Sequence, residues 1–304
     1  MENNTICVLG GTGFIGKNLL NYLANSCNIS LRNPMWKEDL RQINPIAVVN
    51  LVGKAHDHEG IAVEEDYFYS NVELTKQAFN EFIYSKSEVF IHVSSIAAIE
   101  EYESISPLTE SSESNPISWY AKSKREAEVW LLKQNLPIDK TLIILRPPMV
   151  HGPGDKGNLG FLYKFLSKGL PYPFSNFKNS RSFISISNFN FYLERIIRDF
   201  RIMSSGIYHI CDNEPVSTEE IVQVIQEVTQ IKVPKIHLPI FFIRLLADFG
   251  DVLPIPFNNQ RLKKLTSSLI VSNYKINNFL KIRELPETGI EGIRKTIEWF
   301  YQNK

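Results

Sequence analysis

Seven residues near the start of the chain, Gly10-Gly11-Thr12-Gly13-Phe14-Ile15-Gly16, constrain its fold more than any other segment. They follow a short apolar run, Ile6-Cys7-Val8-Leu9, and lead into a helical stretch from about Phe14 to Leu23. Glycines let a backbone turn sharply from strand into helix and leave space for a second group to lie against it. A helix amino terminus behind such a turn offers unpaired N–H groups and partial positive charge, which together suit a phosphate. Gly11, Gly13 and Gly16 fit G-x-G-x-x-G, while Gly10, Gly13 and Gly16 fit G-x-x-G-x-x-G, so the run alone does not choose between dehydrogenase types. Strand, glycine turn and helix in this order predict a dinucleotide site, with Gly10, Thr12, Gly13, Phe14, Ile15 and Gly16 as cofactor-binding candidates.

The rest of the first half repeats the strand–helix rhythm of parallel strands joined by crossover helices. Asn28 to Leu31 reads as a second strand, Trp36 to Ile43 as a short helix and Ala47 to Val52 as a third strand. Leu74, Ala78 and Phe82 recur at i, i+4, i+8 within a helix from about Glu64 to Tyr84. Val89 to Val93 is a fourth strand, Trp119 to Lys133 a helix and Thr141 to Leu145 a fifth strand. Between them the polar, glutamate-rich stretch Ala98 to Pro116 reads as a solvated loop. The expected fold is α/β, a Rossmann-type doubly wound parallel sheet with a smaller carboxyl-terminal substrate-binding lobe. Arg146-Pro147-Pro148 ends the regular pattern, so the boundary is placed between 1–152 and 153–304. Phe183 to Ile186 and Ile207 to Ile210 are strand-like, and about 183–212 is expected to return to the main sheet.

Charge and cysteine usage remove several function classes. Lys plus Arg and Asp plus Glu number 33 each, so no net field gathers nucleic acid or an anionic membrane. The three cysteines, Cys7, Cys27 and Cys211, are odd in number and lack ligand spacing, which predicts reduced, buried thiols and no metal site. The amino terminus enters a strand at once, and a cytoplasmic location is expected. Leu238 to Phe249 is the most apolar later stretch, but Pro239, Arg244 and Asp248 interrupt it and it is too short to span a bilayer. A packed amphipathic helix is preferred there over a membrane-surface anchor.

Chemistry enters with Tyr120-Ala121-Lys122-Ser123-Lys124, which sets a phenol and an ammonium one helical turn apart. Ser95 lies 25 residues earlier, just past the fourth strand, at the strand end where open parallel sheets bind ligands. Positive charge from Lys124 and an oxidised nicotinamide would lower the phenol's pKa and let it shuttle a proton. Ser95 can hydrogen-bond the same alcohol or carbonyl oxygen.

With these residues the chain resembles the extended short-chain dehydrogenase/reductase (NAD-dependent epimerase/dehydratase) family. The likeness also runs through Val49-Asn50-Leu51-Val52-Gly53, His92-Val93-Ser94-Ser95, Leu145 to Gly154 and Asn179-Ser180-Arg181-Ser182-Phe183-Ile184. The resemblance implies that Tyr120 is the general acid/base, that Lys124 lowers its pKa and holds the nicotinamide ribose, and that Ser95 positions the sugar oxygen. It implies that Leu51, Val52, Gly53, Pro147 and Met149 line the cofactor. Asn158 and Arg181 would meet the diphosphate of a nucleotide sugar, a task suited to arginine's planar fork. Substrate choice is expected in Gly157 to Pro173 and near Arg261. A homodimer built on the helices bearing Tyr120 and Leu74 is also implied.

Two departures narrow the reaction. Sugar 4,6-dehydratases of this family carry Asp-Glu after the catalytic Ser or Thr, whereas Ile96 and Ala97 stand here and transfer no proton. At the end of the second strand, Arg32 replaces the acid that usually holds the NAD ribose, so NADP(H) is slightly favoured over NAD(H). Lys54 and His56 lie where they can touch cofactor or sugar, and Trp119 reads as packing. The segments 146–158 and 178–188 look most like UDP-N-acetylhexosamine 4-ketoreductases and 4-epimerases of surface-polysaccharide pathways. The expected activity is reduction of a 4-keto sugar on a UDP-sugar or other nucleotide sugar. A 4-epimerase with retained NAD is the near alternative, and a catalytically silent NAD(P)-binding regulator the distant one.

Overall fold

Alternation decides which way each strand faces. Val8, Val49, Ile91 and Ile143 bury against Leu19, Phe189 and Leu193 on one side of the sheet. Their neighbours Cys7, Val48, Phe90 and Ile144 bury against Leu40, Phe79, Phe82 and Leu131 on the other. Strands buried on both faces are the mark of a parallel sheet covered by helices. Phe79 meets Phe90 edge-on at 5.3 Å between centroids, a geometry worth about 0.5–1.5 kcal/mol beyond burial itself.

The computed structural model describes residues 4–55, 61–155, 157–172, 178–234, 240–252 and 259–303. Six parallel strands, β1 (Ile6–Leu9), β2 (Ser26–Ile29), β3 (Ala47–Asn50), β4 (Val89–Val93), β5 (Thr141–Arg146) and β8 (Gly206–His209), run in the order β2-β1-β3-β4-β5-β8. Helices α1 (Phe14–Tyr22), α2 (Trp36–Ile43), α4 (Leu74–Tyr84), α5 (Trp119–Leu132) and α7 (Ile186–Asp199) form the two outer layers. The expected doubly wound architecture is therefore observed.

Several elements differ from expectation. β2 begins and ends two residues early because its register with β1 stops at Leu9↔Ile29. That leaves Leu31 and Arg32 in a turn beyond the sheet. The helix expected from Glu64 to Tyr84 forms in three pieces, α3 (Glu64–Phe68), a π-helical turn (Tyr69–Glu73) and α4. Of the two later strands, β8 joins the main sheet beside β5, whereas β7 (Phe183–Ser185) pairs with β6 (Met149–His151) in a separate two-stranded sheet. The cause is local: Ser185 caps α7 by accepting from the Asn188 N–H, so the chain turns into helix at once. Cys7 and Cys211 are buried, while Cys27 is only half-buried.

The remaining helices, α6 (Asn158–Leu166), α8 (Thr218–Thr229), α9 (Ile240–Val252), α10 (Asn259–Thr266), α11 (Tyr274–Leu280) and α12 (Gly289–Gln302), complete the carboxyl-terminal half. A second core joins α6, α8, α9, α10 and α12 through Leu162, Ile225, Ile243, Ala247, Leu262 and Ile297. Of the apolar stretch from Leu238 to Phe249, Leu238 and Pro239 lie outside the described residues, and the rest is α9. Among the described residues no helix is long and apolar enough to cross a membrane.

Candidate active site

The glycine turn is built as its spacing predicts. The Gly13 N–H donates to the Gly10 carbonyl at 3.2 Å, and Gly13 opens α1 without a capping side chain or a first-turn acid. A Cβ on Gly16 would come within 2.5 Å of the Gly10 oxygen, so only glycine lets α1 approach the turn this closely. Asn28 on β2 holds the turn from the side, its Oδ1 accepting from the Gly11 N–H at 2.9 Å. No motif singles out Asn28; its role depends on the β1–β2 register.

This turn forms one wall of a cavity of about 1310 Å³ at the carboxyl ends of the strands. That exceeds the roughly 300–1,000 Å³ of a site for a single small ligand. Thr12, Phe14, Ile15, Leu51, Gly53, Pro147 and Met149 all line it, as do Ser95, Tyr120 and Lys124. Val52 instead packs into the core beside Phe90, and its N–H donates to Asn50 Oδ1 at 3.1 Å.

Ser95, Tyr120 and Lys124 converge because the first turns of α5 lie against the carboxyl end of β4, where Lys124 reaches the Val93 carbonyl. Ser95 accepts from the Ala97 N–H at 3.2 Å, starting a short 3-10 turn that faces its hydroxyl toward α5. The Ser95 hydroxyl lies beside the Tyr120 phenol and pulls its pKa down. Burial outweighs this, and Glu101 adds to it, so the protein alone raises Tyr120 above its ordinary value. The lowering expected from the sequence is therefore not produced by the chain's own groups. Lys124, 5% exposed, donates to the Val93 carbonyl at 3.0 Å. Burial takes its ammonium down to about 8, against the upward pull of Glu128.

Glu128 and Asn71, which the sequence analysis did not single out, hold this group in place. Glu128 sits one turn beyond Lys124, fully buried. Its Oε1 accepts from Ser94 Oγ at 2.6 Å and Arg146 Nε at 2.8 Å, and its Oε2 from Arg146 Nη2 at 2.6 Å. A buried carboxylate persists only when paired and fully bonded in this way, and here it ties β4, α5 and β5 together. Asn71, in the π-helical turn, accepts from the Lys54 N–H at 2.8 Å and donates to Ser123 Oγ at 2.8 Å. A Cβ on Gly53 would meet Asn71 Oδ1 at 2.6 Å and Lys124 Nζ at 3.0 Å, so glycine is needed where that loop passes under the lysine. A one-turn π-helix is a frequent feature of functional sites, but hydrophobic periodicity does not reveal it.

The stretch expected as a solvated loop, Ala98 to Pro116, closes one side of the cavity. Glu100, Glu101 and Tyr102 line it, and Glu101 accepts from the Ile117 and Ser118 N–H groups at 3.0 and 2.8 Å. The stretch is stapled to the far half of the chain: Ser104 N–H donates to the Ser268 carbonyl at 2.8 Å and Leu108 N–H to Ile270 at 2.8 Å. Arg181 also reaches the cavity, donating from Nη1 to the carbonyls of Tyr102 at 2.8 Å and Ser267 at 3.1 Å. Burial brings its guanidinium down to about 10.

Arg32 is exposed, three residues past the end of β2, and does not line the cavity. Lys54 pairs with Asp66 at 3.2 Å. Trp119 lines the cavity, leaning on Tyr67 at 6.5 Å between ring centroids. Asn158 opens α6 and Arg261 lies within α10, but their side chains, like all of His56 and Pro173, lie outside the described residues.

Comparison with known proteins places this geometry. The model of the NAD dependent epimerase/dehydratase family matches residues 6–210. The chain is 27% identical over 326 aligned residues to a UDP-glucose 4-epimerase of Vibrio cholerae, covering 98% of this chain and 96% of that protein. The solved complex of MoeE5 with UDP-glucose and NAD superposes with a TM-score of 0.76 at 18% identity, over 98% of this chain and 99% of that one. RMD from Pseudomonas aeruginosa, complexed with NADPH, superposes at 0.70 and 17% identity, over 99% and 100%. At such identities the structural likeness speaks for the fold.

Proposed function

This chain belongs to the NAD dependent epimerase/dehydratase family, and from that premise we propose that it is an NAD(P)-dependent oxidoreductase acting at ring carbon 4 of a nucleotide-diphosphate sugar. The observation that carries this reading is the convergence of Ser95, Tyr120 and buried Lys124 on the wall of the same cavity that the glycine turn lines. The glycine turn and the uncapped start of α1 fit a dinucleotide pyrophosphate. Leu51, Gly53, Pro147 and Met149 would hold the rest of the cofactor, and Arg181 the sugar's diphosphate. When bound, the nicotinamide supplies or accepts the hydride at carbon 4.

The chain's own residues handle the proton. Ser95 donates to the oxygen on carbon 4, fixing it against Tyr120. In the reducing direction the phenol gives its proton to that oxygen as the carbonyl becomes an alcohol; in the oxidising direction it takes the proton back. The Lys124 ammonium, held by the Val93 carbonyl, keeps positive charge beneath the site and favours the phenolate left after proton transfer. Ile96 and Ala97 both line the cavity and offer no acid or base for expelling water. Glu100 and Glu101 line it too, but both spend carboxylate oxygens on backbone N–H groups.

Two outcomes share these residues. Reduction of a 4-keto sugar is the reading reached from the sequence; 4-epimerisation with retained NAD has equal support, through the Vibrio cholerae relative. With Arg32 exposed and away from the cavity, it no longer favours NADP(H) over NAD(H). The homodimer expected on α4 and α5 remains part of the proposal, because Tyr84, Trp119 and Leu132 on these helices are exposed. The test is to denature purified protein, identify any released nucleotide by mass, and titrate the emptied protein with NADPH and NADH. Stoichiometric NAD marks an epimerase, and an empty protein preferring NADPH marks a ketoreductase. A protein that neither contains nor binds a dinucleotide overturns the proposal.

A further inference from the structure

Helix α9 buries one face and leaves the other bare. Ile243 and Ala247 point into the second core, whereas Phe241, Phe242, Leu245 and Phe249 are 69%, 54%, 40% and 53% exposed. At about 100° per residue, these four fall within an arc of about 100°, opposite the buried pair. Arg244 and Asp248, both exposed, lie along one edge of the arc, and Asp248 accepts from Asn259 of α10 at 2.7 Å. Three phenylalanines on one exposed stripe go beyond the scattered apolar residues of an ordinary surface.

Ile243, on the buried side of the same helix, lines the cavity, as do Phe161 and Phe165 of α6, which are themselves 40% and 37% exposed. Cations stand nearby: Arg244 on α9 and exposed Lys263 on α10, the helix packed against it.

We propose that α9 is an interfacial helix that seats this protein on the surface of a phospholipid bilayer. The area available favours a bilayer over a second copy of the chain. Four half-exposed side chains offer on the order of 400 Å², about half of what each partner contributes to a stable protein interface. A bilayer needs only one helix with an apolar face and a polar edge, inserted to the depth of the headgroups. The formal net charge of zero leaves apolar insertion as the main attraction, with Arg244 and Lys263 adding to it on anionic lipid. This reverses the preference reached from the sequence, where the same stretch reads as a packed helix; it does pack, but through a narrow face.

Vesicle binding is read without turnover, so it stands or falls separately from the proposed reaction. The full chain is mixed with vesicles of phosphatidylethanolamine and phosphatidylglycerol and sedimented. It is expected to pellet with them, and the variant Phe241→Ser/Phe242→Ser/Phe249→Ser to partition at least about tenfold less with unchanged solution mass. A chain that stays in the supernatant, or a triple variant that pellets like the parent, overturns the proposal. A triple variant that loses mass in solution assigns the stripe to a second copy and overturns it as well. If the triple variant does not fold, Phe241→Asp is read in the same way, since a charge on the most exposed ring should alone release the protein from vesicles.

Discussion

The two walls of the cavity are held by different means. On the amino-terminal wall, Ser95, Tyr120 and Lys124 rest on buried side-chain bonds among neighbouring elements, with Glu128, Arg146 and Asn71 at the centre. On the carboxyl-terminal wall, Arg181 is held by backbone carbonyls 79 and 86 residues away in the chain. The first arrangement holds its side chains through buried, charge-assisted bonds between adjacent elements. The second depends on segments far apart in the chain being brought together by the fold.

The largest effect should come from the reacting group itself. Tyr120→Phe is expected to lower kcat by about 10²–10⁴-fold with little change in Tm, measured with a competent sugar nucleotide; unchanged turnover would remove the amino-terminal wall from catalysis. Glu128→Ala should leave Arg146 buried without its partner, at a cost of about 3–5 kcal/mol by urea unfolding, and should move Lys124 further below its value of about 8. If the loss is under about 1 kcal/mol, the two walls do not differ in rigidity.

The next effect depends on pH. Outside both walls, buried Asp212 lies three residues past β8 and accepts from the Ser185 N–H at 3.2 Å and Asn188 Nδ2 at 2.7 Å. Burial raises its carboxyl to about 7, well above an unfolded carboxyl near 4. Between those values the folded state holds a proton that the unfolded state has released, so Asp212 makes stability fall as pH rises from about 4 to 7. Asp212→Asn should flatten that part of the stability–pH curve.

On the other wall, Arg181→Ala should raise KM for the sugar nucleotide by about tenfold or more while changing kcat less, the reverse of Tyr120→Phe. A loss confined to kcat would move Arg181 from binding to chemistry. Smallest of all, Arg32→Ala should leave the ratio of NADPH to NADH affinity within about twofold, because the side chain is exposed and off the cavity.

Much of the amino-terminal wall was legible in the sequence because its signals are local. The glycine run, the Tyr120–Lys124 spacing and the strand preceding Ser95 each occupy one element and its end. Arg32 lies beyond the sheet, the second of the two placements its sequence position allows, because strand pairing ends β2 at Ile29. The glutamate-rich stretch from Ala98 to Pro116 misled because a polar segment looks solvated until its partners, Ser268 and Ile270, are known. Asn28, Asn71 and Glu128 carried no motif at all; their roles arise from what they face.

By itself, then, the sequence determined the parallel sheet, the glycine turn between β1 and α1 and the one-turn spacing of Tyr120 and Lys124, since these follow from periodicity and from spacings within a few residues. Tertiary structure alone decided that β7 leaves the main sheet, that Glu101 lines the cavity with Tyr120, and that α9 keeps three phenylalanines in solvent. Each of these depends on contacts between segments far apart in the chain, and such contacts exist only once the whole chain has packed.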